Sequence, residues 1–106
     1  MALAFENFAT VQMAGFSPGI EGALLASAAT LVPTNRIHRV SGTAAIVNIT
    51  LPSTDFAGDI VLIPTGIWTW TAAGNILIAG TTTAISIAVT FTYAPSIAKW
   101  VPSRIA

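Results

Sequence analysis

His38 is the single histidine of this 106-residue chain, and it stands between Arg36 and Arg39. As the base of a catalytic triad it would need Asp55 or Asp59 to orient it and a serine to attack. No Gly-x-Ser-x-Gly elbow accompanies it, and the segment reads as a strand carrying an ordinary surface histidine. Asp55 and Asp59 flank Phe56, Ala57 and Gly58. Two converging carboxylates could do glycosidic acid–base work or hold a calcium ion. No third or fourth acidic ligand lies near them in sequence, so they read as caps of a loop, bonding its backbone amides. Trp68 and Trp70 are two residues apart, which puts both indoles on one face of a strand. Such a pair can stack sugar rings, with Asn75 or threonines adding polar contacts, or fill a core or subunit interface. In a chain with so little polar surface the interface is the expected use. Asn48-Ile49-Thr50 fits a glycosylation acceptor, a pattern common by chance and here inside a predicted strand. No phosphate-cradling glycine loop, Walker lysine or zinc-spaced histidine pair occurs, so no catalytic residue, metal or cofactor is assigned.

The elements that carry these residues are strands. From residue 36 to residue 93, 25 of 58 residues are β-branched, and turn signals recur throughout. Ile85, Ile87, Val89, Phe91 and Tyr93 alternate with Ser86, Ala88, Thr90 and Thr92, the period of a strand. Strands are predicted near 36–40, 45–51, 59–64, 67–71, 75–79, 84–93 and 99–101. Ala73-Gly74-Asn75 predicts a tight turn inside a hairpin over 67–79. Seven short strands give an all-β fold, a compact β-sandwich or jelly-roll-like barrel. No heptad or internal repeat is visible, which argues against coiled coils and solenoids. Residues 1–35 carry eight alanines, with Phe5, Phe8 and Phe16, and no clear period. They read as an apolar N-terminal arm preceding a β domain at 36–106, with 21–30 either a short helix or extended chain.

Composition limits what such a fold can do. Hydrophobic residues make up 54% and charged residues 8%, where globular chains carry about 25% charged residues. Between Ile60 and Ala98 no charged side chain occurs over 39 residues. Faces so poor in charge have little to keep them apart, and their burial in an oligomer or larger assembly is expected. Four basic and four acidic residues cancel, which removes the electrostatic drive for nucleic acid or anionic membrane. No cysteine is present, so disulfides and thiolate sites are excluded. The start has an acid, Glu6, where a secretory signal has a basic region, so synthesis as a cytosolic protein is expected. A membrane β-barrel would need longer strands and aromatic girdles.

The last third holds Gly74-Asn75-Ile76 with Ala79-Gly80-Thr81, then Val89 to Pro95, then Lys99-Trp100-Val101-Pro102-Ser103. Over residues 36–106 this text resembles the small all-β virion modules of tailed bacteriophages, in which a final strand ends on a tyrosine, turns through a proline and closes on a lysine–tryptophan pair. Ala94 departs from the pattern, standing where an aspartate often precedes the proline. The resemblance implies a capsid decoration (cement) protein, non-enzymatic and homotrimeric, bound to the major capsid protein or another virion protein after synthesis in the host cytoplasm. In that reading Phe5, Phe8, Phe16, Leu24 and Leu25 contact the capsid, and Trp68, Trp70, Ile85 and Ile87 form the subunit interface. Arg36, Arg39 and Arg104 would meet acidic rims. The alternative the resemblance implies is a receptor- or carbohydrate-binding module of a phage fibre or tail spike, with a surface glycan as its ligand.

Overall fold

The computed structural model describes residues 17–82 and 84–106, with side chains from residue 20 onward. The described chain is all-β, with ten strands and no helix. The strands are β1 (Ser17–Glu21), β2 (Leu25–Ala26), β3 (Thr30–Leu31), β4 (Asn35–Ser41), β5 (Asn48–Ile49), β6 (Gly58–Pro64), β7 (Thr69–Trp70), β8 (Gly80–Thr81), β9 (Val89–Ala94) and β10 (Lys99–Pro102). A six-stranded sheet runs β1-β4-β6-β9-β10, with β2 also on β4, while β3-β5 and β7-β8 are separate pairs. β1 and β10 lie at opposite ends of the large sheet and do not pair, so no barrel closes.

The pairing is mixed. β1, β2 and β6 lie parallel to β4, whereas β9 runs antiparallel to both β6 and β10. Parallel neighbours need long crossovers, and here those crossovers make the second layer. Ile37 pairs with Val61, Ile46 with Trp70 and Ile76 with Trp100, each partner lying 24 positions further along (61 against 37, 70 against 46, 100 against 76). Earlier in the chain the parallel offset is shorter, 15 residues from Leu25 to Val40 and 18 from Thr30 to Asn48, so the backbone returns beside itself without a fixed interval.

One core fills the space between the layers. Alternation in β4, β6 and β9 turns Val40, Ile60, Leu62, Val89 and Phe91 inward, where they meet Leu31, Ile49, Trp68, Trp70, Ile76 and Trp100. The inward column Leu31–Ile49 belongs to the parallel β3–β5 pair. Burying such side chains supplies about 1.5–3 kcal/mol each, and this core is the main term holding a fold with many two-residue strands.

The large sheet follows the sequence closely at β4, β6 and β10, and less so elsewhere. The strand predicted over 84–93 begins only at Val89, because Ser86 adopts a positive φ of 69° that breaks the extended chain before it. The predicted tight hairpin at residues 73–75 is absent. β7 pairs with β8 instead, Thr69 opposite Thr81 and Trp70 opposite Gly80, with a wide loop between. Gly74 is needed for space rather than for a left-handed turn: a Cβ there would collide with the Asn48 side chain and the Val47 carbonyl. The boundary drawn at residue 35 is not a structural one. Residues 17–31 supply three strands that pair with β4 and β5, since their backbone groups complete the parallel ladder. Neither helix nor free arm forms there. Pro18, which has no N–H to donate, sits in an edge strand, where proline is tolerated.

Candidate functional site

His38 lies in β4 and is fully buried, which corrects the expectation of a surface residue. Its ring Nδ1 lies 2.7 Å from the Ala23 carbonyl, and its Nε2 accepts from the Thr34 and Asn35 amides at 3.0 Å each. A carbonyl only accepts and an amide only donates, so Nδ1 carries the proton and Nε2 is bare. Both nitrogens are engaged, and none remains to take a proton from a substrate. Gly22 leaves the room for this ring, because a Cβ at that position would overlap the imidazole. The histidine ties the 22–25 bend to the turn before β4, a structural post.

The carboxylates do not converge on a chemical task. Asp59 Oδ1 accepts from Arg36 Nε at 2.9 Å, and Glu21 Oε2 accepts from Arg39 Nε at 3.0 Å. Asp55 is exposed in the turn after Leu51. Among the described residues no three His, Cys, Asp or Glu side chains gather to hold a metal ion. Arg104 donates to the Ile87 carbonyl at 2.7 Å and to the Ala88 carbonyl, and it also reaches the Ala106 oxygen. The three arginines expected to meet a partner's acidic rim are thus held within the chain, two by carboxylates and one by backbone carbonyls.

The indoles are also redirected. Trp68 and Trp70 are 0% and 2% exposed within a single chain, so neither offers a face to a second subunit or to a sugar. Trp68 Nε1 donates to the Val40 carbonyl at 3.1 Å and Trp70 Nε1 to the Ile78 carbonyl at 2.9 Å. Their ring centroids are 5.9 Å apart, and Trp70 meets Phe91 edge-on at 5.3 Å. The two-residue spacing did put both on one face, and that face is the core. Ile85 and Ile87, the other interface residues, are exposed in the loop before β9. Leu24 is exposed and Leu25 packs partly against the core, while Phe5, Phe8 and Phe16 lie outside the described residues.

Two features of the surface remain for function. The first is an open depression of about 420 Å³ lined by Asn48, Ile49, Thr50, Leu51, Ser53, Thr54 and Asn75. It carries amides and hydroxyls over an apolar floor and no charge, a lining suited to a neutral hydrogen-bonding ligand. Asn75 shapes its wall: its Oδ1 accepts from the Ile49 amide and its Nδ2 donates to the Ile49 carbonyl. Asn48 and Asn75 are 27 residues apart, and no local pattern in the sequence joins them. The second feature is apolar. Ile67, Leu77, Ile78, Ile85, Ile87, Ile97 and Ile105 are all exposed, alongside Ile20, Leu24 and Val32. Hydrogen bonds tie several of their segments together: Ser86 N donates to the Pro64 carbonyl, Arg104 holds Ile87, and Thr81 N donates to the Ile105 carbonyl. The loop bearing Ile85 and Ile87 is thereby fixed beside the end of β6 and the chain's last residues. No helix among the described residues is long and apolar enough to cross a membrane. Compared with known protein families, with curated proteins and with solved structures, the chain matches none.

Proposed function

We propose that this chain is a non-enzymatic structural module that works by attachment, a homotrimeric decoration (cement) protein seated on the capsid of a tailed bacteriophage. The observation that carries the reading is the surface, where among the described residues ten large aliphatic side chains stand between 43% and 69% exposed. Most of the basic residues are already occupied within the chain. Attachment would come from apolar area, with Ile85 and Ile87 central, and three symmetric weak contacts would add to one durable hold. Binding only the assembled shell would stabilise it by linkage.

The test is sedimentation of the purified chain at low micromolar concentration, followed by cosedimentation with assembled phage heads. A trimer that travels with the heads, and an Ile85→Glu/Ile87→Glu variant that stays folded but no longer does, supports the reading. A monomer that ignores the heads overturns it. The depression around Asn48 favours one second reading, a glycan-binding module of a fibre or spike. With Trp68 and Trp70 buried, that function would rest on Asn48, Thr50, Ser53 and Thr54. Saturable binding on a glycan array, lost in Thr50→Ala/Thr54→Ala, would favour it.

A further inference from the structure

Two asparagines fix the wall of the depression beside β5. The Asn75 amide donates to Asn48 Oδ1 at 3.1 Å, so the Asn48 carboxamide cannot turn over without losing that bond, and its Nδ2 is the end left to donate. Gly74 makes room for this arrangement, since a Cβ there would overlap the Asn48 side chain. The Asn75 side chain is itself spent on the Ile49 backbone. Pro52 stiffens the segment that follows, and the Phe56 amide closes it on the Ser53 carbonyl at 3.2 Å. The hydroxyls of Thr50, Ser53 and Thr54 belong to the lining and bond to no other group among the described residues. With Ile49 fully buried, half-buried Leu51 is the apolar surface among them.

This lining disfavours several classes of ligand. No charged side chain belongs to it, and Asp55, which follows Thr54 and is exposed, repels anions such as uronates. The Lys99 ammonium is occupied by the Gly74 carbonyl at 2.7 Å. No aromatic ring lines the depression, and Trp68, Trp70 and Trp100 are buried, so a pyranose face has nothing to stack on. Selectivity must come from one fixed amide donor, several hydroxyls and a small apolar surface. We infer that the depression takes the acetamido group of a neutral N-acetylated sugar, an inference that rests on the glycan reading of this site and deepens it. An acetamido group presents one carbonyl, one N–H and one methyl. Asn48 Nδ2 suits the carbonyl, a threonine hydroxyl accepts from the N–H, and Leu51 with the threonine methyls takes the methyl. A plain hexose has a hydroxyl in that place and leaves Leu51 wet.

Chitotriose and cellotriose, the trimers of N-acetylglucosamine and of glucose, are linked alike and differ only in bearing acetamido or hydroxyl at one carbon of each ring. Titration calorimetry of the full chain with each is the test. Saturable binding of chitotriose is expected, with cellotriose weaker by about tenfold or more, the discrimination that one matched small group gives. Asn48→Asp keeps an oxygen for the Asn75 amide while removing the donor, so it should weaken chitotriose by about tenfold and leave the urea midpoint at that of the parent. Thr54→Val, at an exposed position, should also weaken chitotriose and leaves that bond untouched. Equal binding of the two trimers overturns the acetamido assignment and leaves the glycan reading standing. Binding of neither overturns both. Chitotriose binding unaltered in both variants puts the sugar elsewhere and overturns the inference. N-acetyl-lysine amide is the last probe: affinity equal to that of chitotriose would assign the site to an acetylated protein and overturn the sugar.

Discussion

The Asn75 side chain clasps the backbone of Ile49 from both sides, Oδ1 accepting from its N–H at 2.9 Å and Nδ2 donating to its carbonyl at 2.7 Å. An amide side chain thus makes the two bonds a neighbouring strand would make, and the Asn75 amide bonds back to Asn48 Oδ1 at 3.1 Å. One residue joins two turns of the coil where no ladder does. Asn75→Ala leaves the buried Ile49 N–H without this partner, at about 1–3 kcal/mol, while the Ile49 carbonyl keeps its bond from the Trp100 indole. Urea unfolding should show a loss of about 1–3 kcal/mol, with the slope unchanged. Asn75→Asp should recover most of it, because a carboxylate still accepts from the Ile49 N–H.

His38→Ala should be among the most damaging single changes. It strips a partner from Ala23, Thr34 and Asn35 and opens a void beneath the 22–25 bend, for a combined cost of about 3 kcal/mol or more. Amide exchange would locate the damage, with β1 and β2 loosening first. A stability within about 0.5 kcal/mol of the parent would contradict the structural role.

Trp70→Ala should lower stability by about 3–5 kcal/mol, as truncation of a buried aromatic does. Trp70→Phe keeps a ring against Phe91 but orphans the Ile78 carbonyl, at about 1–3 kcal/mol. Both losses should be independent of protein concentration. A concentration-dependent loss would put Trp70 at an interface after all.

The two ion pairs should matter little to folding. Arg36, Asp59, Arg39 and Glu21 all keep between 39% and 54% of their side-chain surface exposed, and exposed pairs contribute about 0–1 kcal/mol. Arg39→Ala and Arg36→Ala should leave the melting temperature nearly unchanged at moderate salt. Under the proposed function these pairs engage four of the eight charged side chains within the chain, so attachment to a partner should weaken little between low and high salt.

The sequence by itself determined the all-β class and the large sheet's inner strands, because period two and β-branched residues act within a few neighbours and β4, β6 and β10 satisfy both. It also determined that the chain has no charge to spare, since composition does not depend on folding. Only the tertiary structure decided where the singular residues went. Trp68, Trp70 and His38 have the same local patterns whether a strand faces water or core, and their burial depends on the layer packed over them. Residues 17–31 have no period of their own and became strands because β4 and β5 offered parallel edges. The Trp100 indole donates to the Ile49 carbonyl across 51 residues of chain, and Asn75 replaces a strand for the same Ile49. Contacts over such separations are set by which segments stack, and stacking is decided by backbone hydrogen bonds and volume, which residue identity along the chain does not spell out.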